Sequence, residues 1–139
     1  MENLLVDTNV LIYETFEDSE HHVDATDIVY SSGNLLIPSI VIHEYIWLLT
    51  RRFRIPFLKV SEKVEQLLSQ EHIRLVCEEP SDLAGALRLA HEDDIEAREL
   101  NDYIILSTAL RARLAIASYD NELRQAATRR GVKVIPASR

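Results

Sequence analysis

The sequence predicts an α/β fold in which a parallel β-sheet is covered by helices on both faces. Short apolar runs alternate along the chain with longer amphipathic segments, which is the order expected when strands are connected by helices. Within the short runs the apolar residues are continuous rather than alternating with polar ones, as expected for strands that are buried on both faces. The chain has 139 residues, of which 47% are apolar, and this predicts one domain over residues 1–139.

Five strands and six helices are predicted along the chain. The strands span residues 3–6, 35–37, 73–77, 114–117 and 132–135, and the helices span residues 19–32, 39–53, 57–69, 80–92, 102–113 and 121–130. Gly33 and Gly131 favour the ends of the helices that they follow, while Ser39 and Asn101 are the expected N-caps of the two apolar helices. In a parallel sheet the ligand crevice lies beyond the carboxyl ends of the strands, so functional residues are expected there.

The chain carries a formal charge of −8, which would argue against a nucleic-acid partner because phosphates repel acidic surfaces. That argument fails where carboxylates cluster around a divalent cation, since the bound ion inverts the local field. Cys77 is the only cysteine and is expected to be buried in the third strand, and the apolar stretch Leu4-Leu5-Val6 is far too short for a signal peptide or a membrane span. These features predict a cytoplasmic protein with no membrane association.

Two acidic residues stand near the ends of the first two predicted strands. Asp7 directly follows the first strand, although capping of the next turn by Asp7 or Thr8 would explain it equally well. Glu44 has only apolar neighbours three and four residues away, so its helix would bury it among them. These neighbours are Ile40, Val41, Trp47 and Leu48. A buried carboxylate needs a cation, which is either a metal ion or the arginine of a structural ion pair.

Asp102 and Asp120 complete a set of four acids. Asp102 heads an apolar helix and would gain from the helix dipole without any functional role, and Asp120 could be only the N-cap of the next helix. Together, however, the four acids can face one crevice, where their charges would repel strongly without a cation. Carboxylate oxygens are the ligands that Mg2+ and Mn2+ prefer, so we expect a site for one of these ions.

These residues resemble the motifs of the PIN-domain family and, within it, of the small stand-alone VapC-type toxins. The resemblance covers essentially the whole chain and rests on the order and spacing of Asp7-Thr8-Asn9, Glu44, Asp102 and Ser118-x-Asp120. It implies a three-layer α/β/α sandwich with a central parallel sheet, an acidic pocket for one or two metal ions, and endonucleolytic cleavage of RNA. The chain departs from the family around the last acid, where it has Ser118 and Leu123 instead of a frequent threonine and aromatic residue.

The expected reaction is in-line hydrolysis of an RNA phosphodiester by water, which leaves a 5′-phosphate and a 3′-hydroxyl. The four acids are the expected catalytic and metal-binding residues, because a metal ion held by them would lower the pKa of the attacking water and stabilise the leaving oxygen. Thr8 and Ser118 are expected to hydrogen-bond a carboxylate or the phosphate. Arg51, Arg52 and Arg54 form a basic patch that could contact RNA, although a solvated helix end is the other interpretation.

The resemblance to toxins also implies protein partners. A small antitoxin is expected to silence the toxin by placing an arginine against the acidic pocket. A homodimer is expected because related toxins form one, and because the Glu44 helix and residues 55–68 carry more apolar side chains than one short helix pair hides. The acidic segment 93–99 stays open: Asp93, Asp94, Glu96 and Glu99 could extend the pocket or form a solvated face.

Three other protein classes fit parts of the sequence, but each of them lacks a residue that its chemistry needs. His43-Glu44 lacks the second histidine of a zinc-protease helix, since Trp47 occupies that position. A haloacid-dehalogenase-type phosphatase would need an aspartate in place of Asn9, and a receiver domain would need one after the third strand, where the sequence has Glu78-Glu79. A catalytically inactive PIN-fold binding module is the alternative that stays open, although all four acids are present.

Overall fold

A computed structural model describes residues 3–137 and contains a five-stranded parallel sheet. The strands are β1 (Asn3–Val6), β2 (Asn34–Pro38), β3 (Ile73–Val76), β4 (Ala115–Ala117) and β5 (Val134–Ile135). Their order across the sheet is β3-β2-β1-β4-β5, and every neighbouring pair is parallel. All five predicted strands are confirmed, with small shifts at their ends.

Helices form the outer layers of a three-layer α/β/α sandwich, so the predicted fold class is confirmed. They are α1 (Thr8–Thr15), α2 (His22–Ser31), α3 (Ser39–Trp47), α4 (Phe57–Leu68), α5 (Pro80–Asp93), α6 (Leu100–Ala112) and α7 (Asn121–Arg129). A π turn (Leu48–Arg52) continues α3, and a short 3-10 turn (Ala97–Glu99) precedes α6. None of the helices within residues 3–137 has the length and apolar character needed to cross a membrane.

The strand order explains where a crevice opens. β1 lies at the centre of the sheet, with Leu4 opposite Leu35 of β2 on one side and opposite Ala115 of β4 on the other. From β1 the chain moves outward through β2 and β3, and it later continues on the opposite side with β4 and β5. Connections therefore leave β1 and β4 in opposite directions, which opens a crevice beyond their carboxyl ends.

The apolar residues of the central strand are fully buried. Leu4, Leu5 and Val6 are each 0% exposed, because helices cover both faces of the sheet. Burying a side chain of this size contributes about 1.5–3 kcal/mol, so a shift in the register of β1 would be costly. The apolar residues of β1 therefore fix the position of Asp7, which directly follows them.

Helix α1 was not predicted. The Asp7 side chain accepts a hydrogen bond from the Thr8 backbone N–H at 2.8 Å and caps this helix, and Val10 and Leu11 bury its inner face in the core. The helix has only eight residues, so a periodic pattern of apolar residues has little room to develop. Asp7 thus has the capping role considered as an alternative, and it also lies at the crevice.

Both predicted N-caps are wrong. Ser39 is the first residue of α3, and its backbone N–H and its hydroxyl both donate to Oε2 of Glu78, at 3.1 and 2.7 Å. A carboxylate distant in sequence therefore caps this helix. Asn101 lies inside α6, which begins one residue earlier at Leu100. Cys77 lies just beyond β3 and is exposed, so its predicted burial is also wrong.

Candidate functional site

Three of the predicted acids meet at the carboxyl edge of the sheet. Asp7 directly follows β1, Asp120 follows β4 and caps α7, and Asp102 lies in the first turn of α6. One carboxylate oxygen of each lies within 4.8 Å of one oxygen of each of the others. Residues separated by up to 113 positions in the chain are thus brought together because parallel strands end at one edge.

Ser118 links two of these acids. Asp7 is 5% exposed, and its Oδ2 accepts a hydrogen bond of 2.6 Å from the Ser118 hydroxyl, while its Oδ1 accepts from the Thr8 N–H. The Ser118 oxygen accepts in turn from the backbone N–H of Asp120, at 3.0 Å. Ser118 is itself 0% exposed, so it holds the Asp7 carboxylate in one orientation next to Asp120.

Burial and mutual repulsion favour the neutral forms of two of these acids. Burial raises the pKa of Asp7 to about 6, against the lowering effects of its bonds from Ser118 and Thr8. The pKa of Asp102 is raised to about 9 by burial, by the charge of Asp7 and by a hydrogen bond shared with Asp120. Like charges held this close disfavour ionisation, and a cation among them would reverse that preference.

The chemistry of the donors fits a hard divalent cation. The side chains that converge here offer oxygen atoms, and neither histidine nor cysteine lines this cavity in the described part of the chain. Thr8 also lines the cavity, and its hydroxyl is buried without a hydrogen-bond partner among residues 3–137. A buried hydroxyl of this kind gains from a ligand, because an unpaired polar group costs free energy.

Glu44 lies on the wall of the same cavity but outside the three-carboxylate cluster. The cavity has a volume of about 420 Å³. Glu44 is only half-buried, and its neighbour Trp47 is 54% exposed, so the prediction of a buried apolar stripe around Glu44 is wrong. The reason is that this face of α3 borders the cavity and the solvent rather than the core.

The rest of the cavity wall was largely missed from the sequence. It includes Asn9, Ile12 and Tyr13 of α1, together with Leu48 and Phe53 near the π turn. Asn9 Oδ1 accepts a hydrogen bond from the backbone N–H of Tyr119 at 3.2 Å and so joins the loops after β1 and β4. The signal that could have found Asn9 is its place in Asp7-Thr8-Asn9, directly after a buried strand.

The three predicted RNA-binding arginines lie in different surroundings. Arg52 lines the cavity, with its guanidinium carbon 5.9 Å from the ring centroid of Phe53. The guanidinium of Arg51 lies over the Trp47 ring instead, also at 5.9 Å. Arg54 follows the π turn with a left-handed backbone, at a φ of 55°. Only Arg52 of these three is among the residues that line the acidic cavity.

The four acids of the segment 93–99 also lie in different surroundings. Asp93 accepts hydrogen bonds from Arg130 at 2.8 and 2.9 Å, and Glu96 pairs with Arg98 at the surface. Asp94 has a left-handed backbone at the end of α5. Glu99 lines a smaller cavity of about 240 Å³ that Asp102 also borders.

The family follows from a comparison with known proteins. A model of the PIN domain matches residues 4–129, and the chain therefore belongs to the PIN-domain family. No curated protein matches the sequence. The predicted resemblance to this family is confirmed.

Solved structures share the fold at low sequence identity. The toxin VapC20 of Mycobacterium tuberculosis, described as cleaving the sarcin-ricin loop, is 15% identical with a TM-score of 0.73, and the match covers 88% of this chain and 94% of that one. A toxin-antitoxin complex from Klebsiella pneumoniae is 19% identical with a TM-score of 0.66, and the match covers 98% of this chain and 95% of that one. FitAcB of Neisseria gonorrhoeae is 21% identical with a TM-score of 0.67, and the match covers 96% of this chain and 97% of that one. The chain thus has the fold of VapC-type toxins.

Proposed function

We propose that this chain is an endoribonuclease that depends on Mg2+ or Mn2+ and acts as the toxin of a type II toxin-antitoxin pair. The observation that carries the proposal is the carboxylate cluster of Asp7, Asp102 and Asp120 at the carboxyl edge of the sheet. Membership of the PIN-domain family and the fold shared with VapC-type toxins support it.

Asp7, Asp102 and Asp120 would hold the metal ion, and Glu44 lines the same cavity. When bound, the ion would activate a water nucleophile and neutralise charge on the leaving oxygen. The family resemblance and the raised pKa of Asp102 both support a cation here, because an ion would remove the repulsion that favours the neutral acid.

The side chains around the cluster have positioning roles in this proposal. Ser118 and the Thr8 N–H fix both oxygens of Asp7, so this ligand loses little freedom when a cation binds. Asp120 is held by its own capping bond to the Glu122 N–H at 3.1 Å. RNA cleavage by water would leave a 5′-phosphate and a 3′-hydroxyl.

A nuclease assay tests the proposal. Purified protein is incubated with single-stranded RNA in EDTA, Mg2+ or Mn2+, and Asp7→Asn is compared with Asp27→Asn, which removes the same charge from an exposed position. We expect cleavage with metal only, and a loss of at least about a hundredfold in Asp7→Asn, the scale seen when charge stabilisation is removed. No cleavage by the unmodified protein in any metal would favour the inactive PIN-fold binding module, and equal cleavage by Asp7→Asn would remove Asp7 from the catalytic site.

The proposed toxin role brings two assembly predictions. An antitoxin partner is supported by structures of related fold that were solved as toxin-antitoxin complexes. We expect it to place an arginine against the acidic cavity, and a co-structure with the product of the neighbouring gene tests this. A homodimer is supported by exposed apolar side chains such as Trp47, Phe57 and Leu58. Light scattering that gives a monomer mass at micromolar concentration would contradict it.

A further inference from the structure

The acidic cavity is lined by two chemically different sets of residues. One is the carboxylate cluster, and the other is apolar and aromatic, with Tyr13, Leu48 and Phe53. Among residues 3–137, Arg52 is the single cation in the lining. The cavity volume of about 420 Å³ is many times the roughly 15 Å³ of accessible space that one water needs. The cavity therefore has room for part of a substrate beside the ion.

The π turn explains how Arg52 comes to line the cavity. Arg52 follows Glu44 by eight residues, and in a straight α-helix that spacing leaves the two side chains about 80° apart. The π turn contains more residues per turn and rotates less per residue, which brings Arg52 back towards the direction of Glu44. Its wider hydrogen bond runs from the Phe53 N–H to the Leu48 carbonyl, at 3.0 Å. Glu44, Leu48 and Arg52 consequently line the same cavity.

The positions of Arg52 and Phe53 suit a nucleotide. Arg52 is exposed and forms no ion pair within residues 3–137, although it lines a cavity that contains four carboxylates. Its charge is therefore available to an anion. The Phe53 ring is 42% exposed, and Phe16 at the end of α1 holds it, with ring centroids 4.6 Å apart. The guanidinium carbon of Arg52 lies 5.9 Å from the centroid of this ring, so the arginine can bind a phosphate while an unpaired base stacks on the exposed part of the ring.

We infer that Arg52 and Phe53 form the nucleotide subsite next to the scissile bond, where Arg52 binds a flanking phosphate and Phe53 stacks one unpaired base of single-stranded RNA. The inference rests on the proposed function, since RNA is its substrate. It separates Arg52 from the adjacent basic residues. Neither Arg51 nor Arg54 lines the cavity.

Removing the charge of Arg52 tests whether this residue binds a phosphate. Arg52→Gln and the matched control Arg51→Gln are compared for kcat/KM on a fluorescein-labelled single-stranded RNA at several salt concentrations. Loss of one phosphate contact should reduce the slope of log(kcat/KM) against log[salt] by about 0.7 in Arg52→Gln alone. The same pair of variants, combined with Asp7→Asn, is tested for RNA binding by fluorescence anisotropy in Mg2+. Both residues are exposed, so melting temperatures should match and exclude a folding effect.

The aromatic ring is tested by base removal. Phe53→Leu should lower kcat/KM by about fivefold or more, the lower end of the range for one stacked base, whereas Phe53→Trp retains activity. The control is Leu87→Ala, since Leu87 of α5 is 58% exposed and does not line the acidic cavity. A single abasic nucleotide is then moved along the RNA. The effect of Phe53→Leu should vanish when this nucleotide lies at one fixed position relative to the cleaved bond.

The outcomes separate this inference from the proposed function. If the unmodified protein cleaves RNA and Arg52→Gln behaves like Arg51→Gln, or the Phe53→Leu effect persists with every abasic RNA, the subsite is wrong and the nuclease stands. If RNA binds through Arg52 but is never cleaved, the subsite stands and the proposed nuclease fails. If the protein neither cleaves nor binds RNA, both fail.

Discussion

Two groups of carboxylates in this chain have opposite pKa shifts. At the sheet edge, burial and neighbouring acids raise the pKa values of Asp7 and Asp102. Between the helices, hydrogen bonds from arginines hold the pKa values of Asp82 and Asp93 below the usual range. All four are aspartates in a chain of net negative charge, so the difference lies in their partners. Where arginine is adjacent the acid stabilises the fold, and where acids face one another a bound cation would relieve their repulsion.

Asp82 shows what the structural kind of carboxylate does. It is 1% exposed, and it accepts hydrogen bonds from Arg111 Nε at 2.6 Å and from the Glu79 N–H at 2.8 Å. It therefore completes the capping box that begins at Glu79, and it joins α5 to α6. No metal ion is required for this arrangement, since the guanidinium already supplies the opposite charge.

The largest effect on stability is expected for Asp82→Asn. Asp82 is buried while the Arg111 side chain is 37% exposed, so we expect a loss of about 3 kcal/mol, the upper end of the range for hydrogen bonds to a charged group. Denaturant unfolding in EDTA measures the loss. RNA cleavage per folded molecule should stay near that of the unmodified protein. A large loss of cleavage at unchanged stability would place Asp82 among the functional carboxylates and break the comparison.

Asp7→Asn should behave in the opposite way. In EDTA its stability should stay level or rise, because one buried charge is removed from the cluster. At a hundredfold excess over its dissociation constant, Mg2+ should stabilise the unmodified protein by about 2.7 kcal/mol. This gain should shrink in Asp7→Asn and remain intact in the surface control Asp27→Asn. A lower melting temperature of Asp7→Asn in EDTA, with equal Mg2+ shifts in all three proteins, would make Asp7 a structural residue.

Ser118→Ala should lower the free energy of unfolding by less than Asp82→Asn does. The variant loses the bond from the Ser118 hydroxyl to Asp7, and a hydrogen bond to a charged group contributes about 1.5–3 kcal/mol. We expect the lower end of that range from denaturant unfolding, since Asp7 is partly neutral near pH 6. Cleavage should also fall, because Asp7 is no longer held in one orientation. Ser69→Ala, which removes a bond between neutral groups at the surface, is the control.

The pH dependence of the metal-free protein gives the subtlest test. The folded-state pKa values of Asp7 and Asp102, about 6 and 9, lie above the ordinary value of 3.8, so the folded state binds protons more tightly. Their contribution is complete below about pH 4 and is lost as pH rises through about 6 and then about 9. The melting temperature in EDTA should therefore fall across this range, and less steeply in Asp102→Asn.

Asp82 and Asp93 should act with the opposite sign. Their folded-state pKa values are lowered, so their contribution is present above the ordinary value and is lost as pH falls below about 4. Acid unfolding of Asp93→Asn should accordingly be less dependent on pH than that of the unmodified protein. For Asp7 and Asp102, the fall in melting temperature above pH 6 should be smaller in saturating Mg2+. If Mg2+ left that fall unchanged, their raised pKa values would be unrelated to metal binding.

The sequence by itself determined the architecture, because the required patterns are local. Continuous apolar runs such as Leu4-Leu5-Val6 can be buried on both faces only in a covered parallel sheet, and this sets the edge at which Asp7 stands. Gly33 and Gly131 marked the ends of α2 and α7, and the order of the four acids led to the family. Helix α1 escaped prediction because it is short and begins in residues that are equally typical of a turn.

Only the tertiary structure decided which carboxylates belong together. Asp102 and Asp93 are both acids close to the same helix start, yet one faces Asp7 and the other faces Arg130. The bond between Ser118 and Asp7 joins residues 111 positions apart, and Glu78 caps α3 in place of the expected Ser39. Packing of the sheet and helices sets such contacts, and local periodicity carries no information about them. The same reason explains why Arg52, and neither Arg51 nor Arg54, lines the acidic cavity.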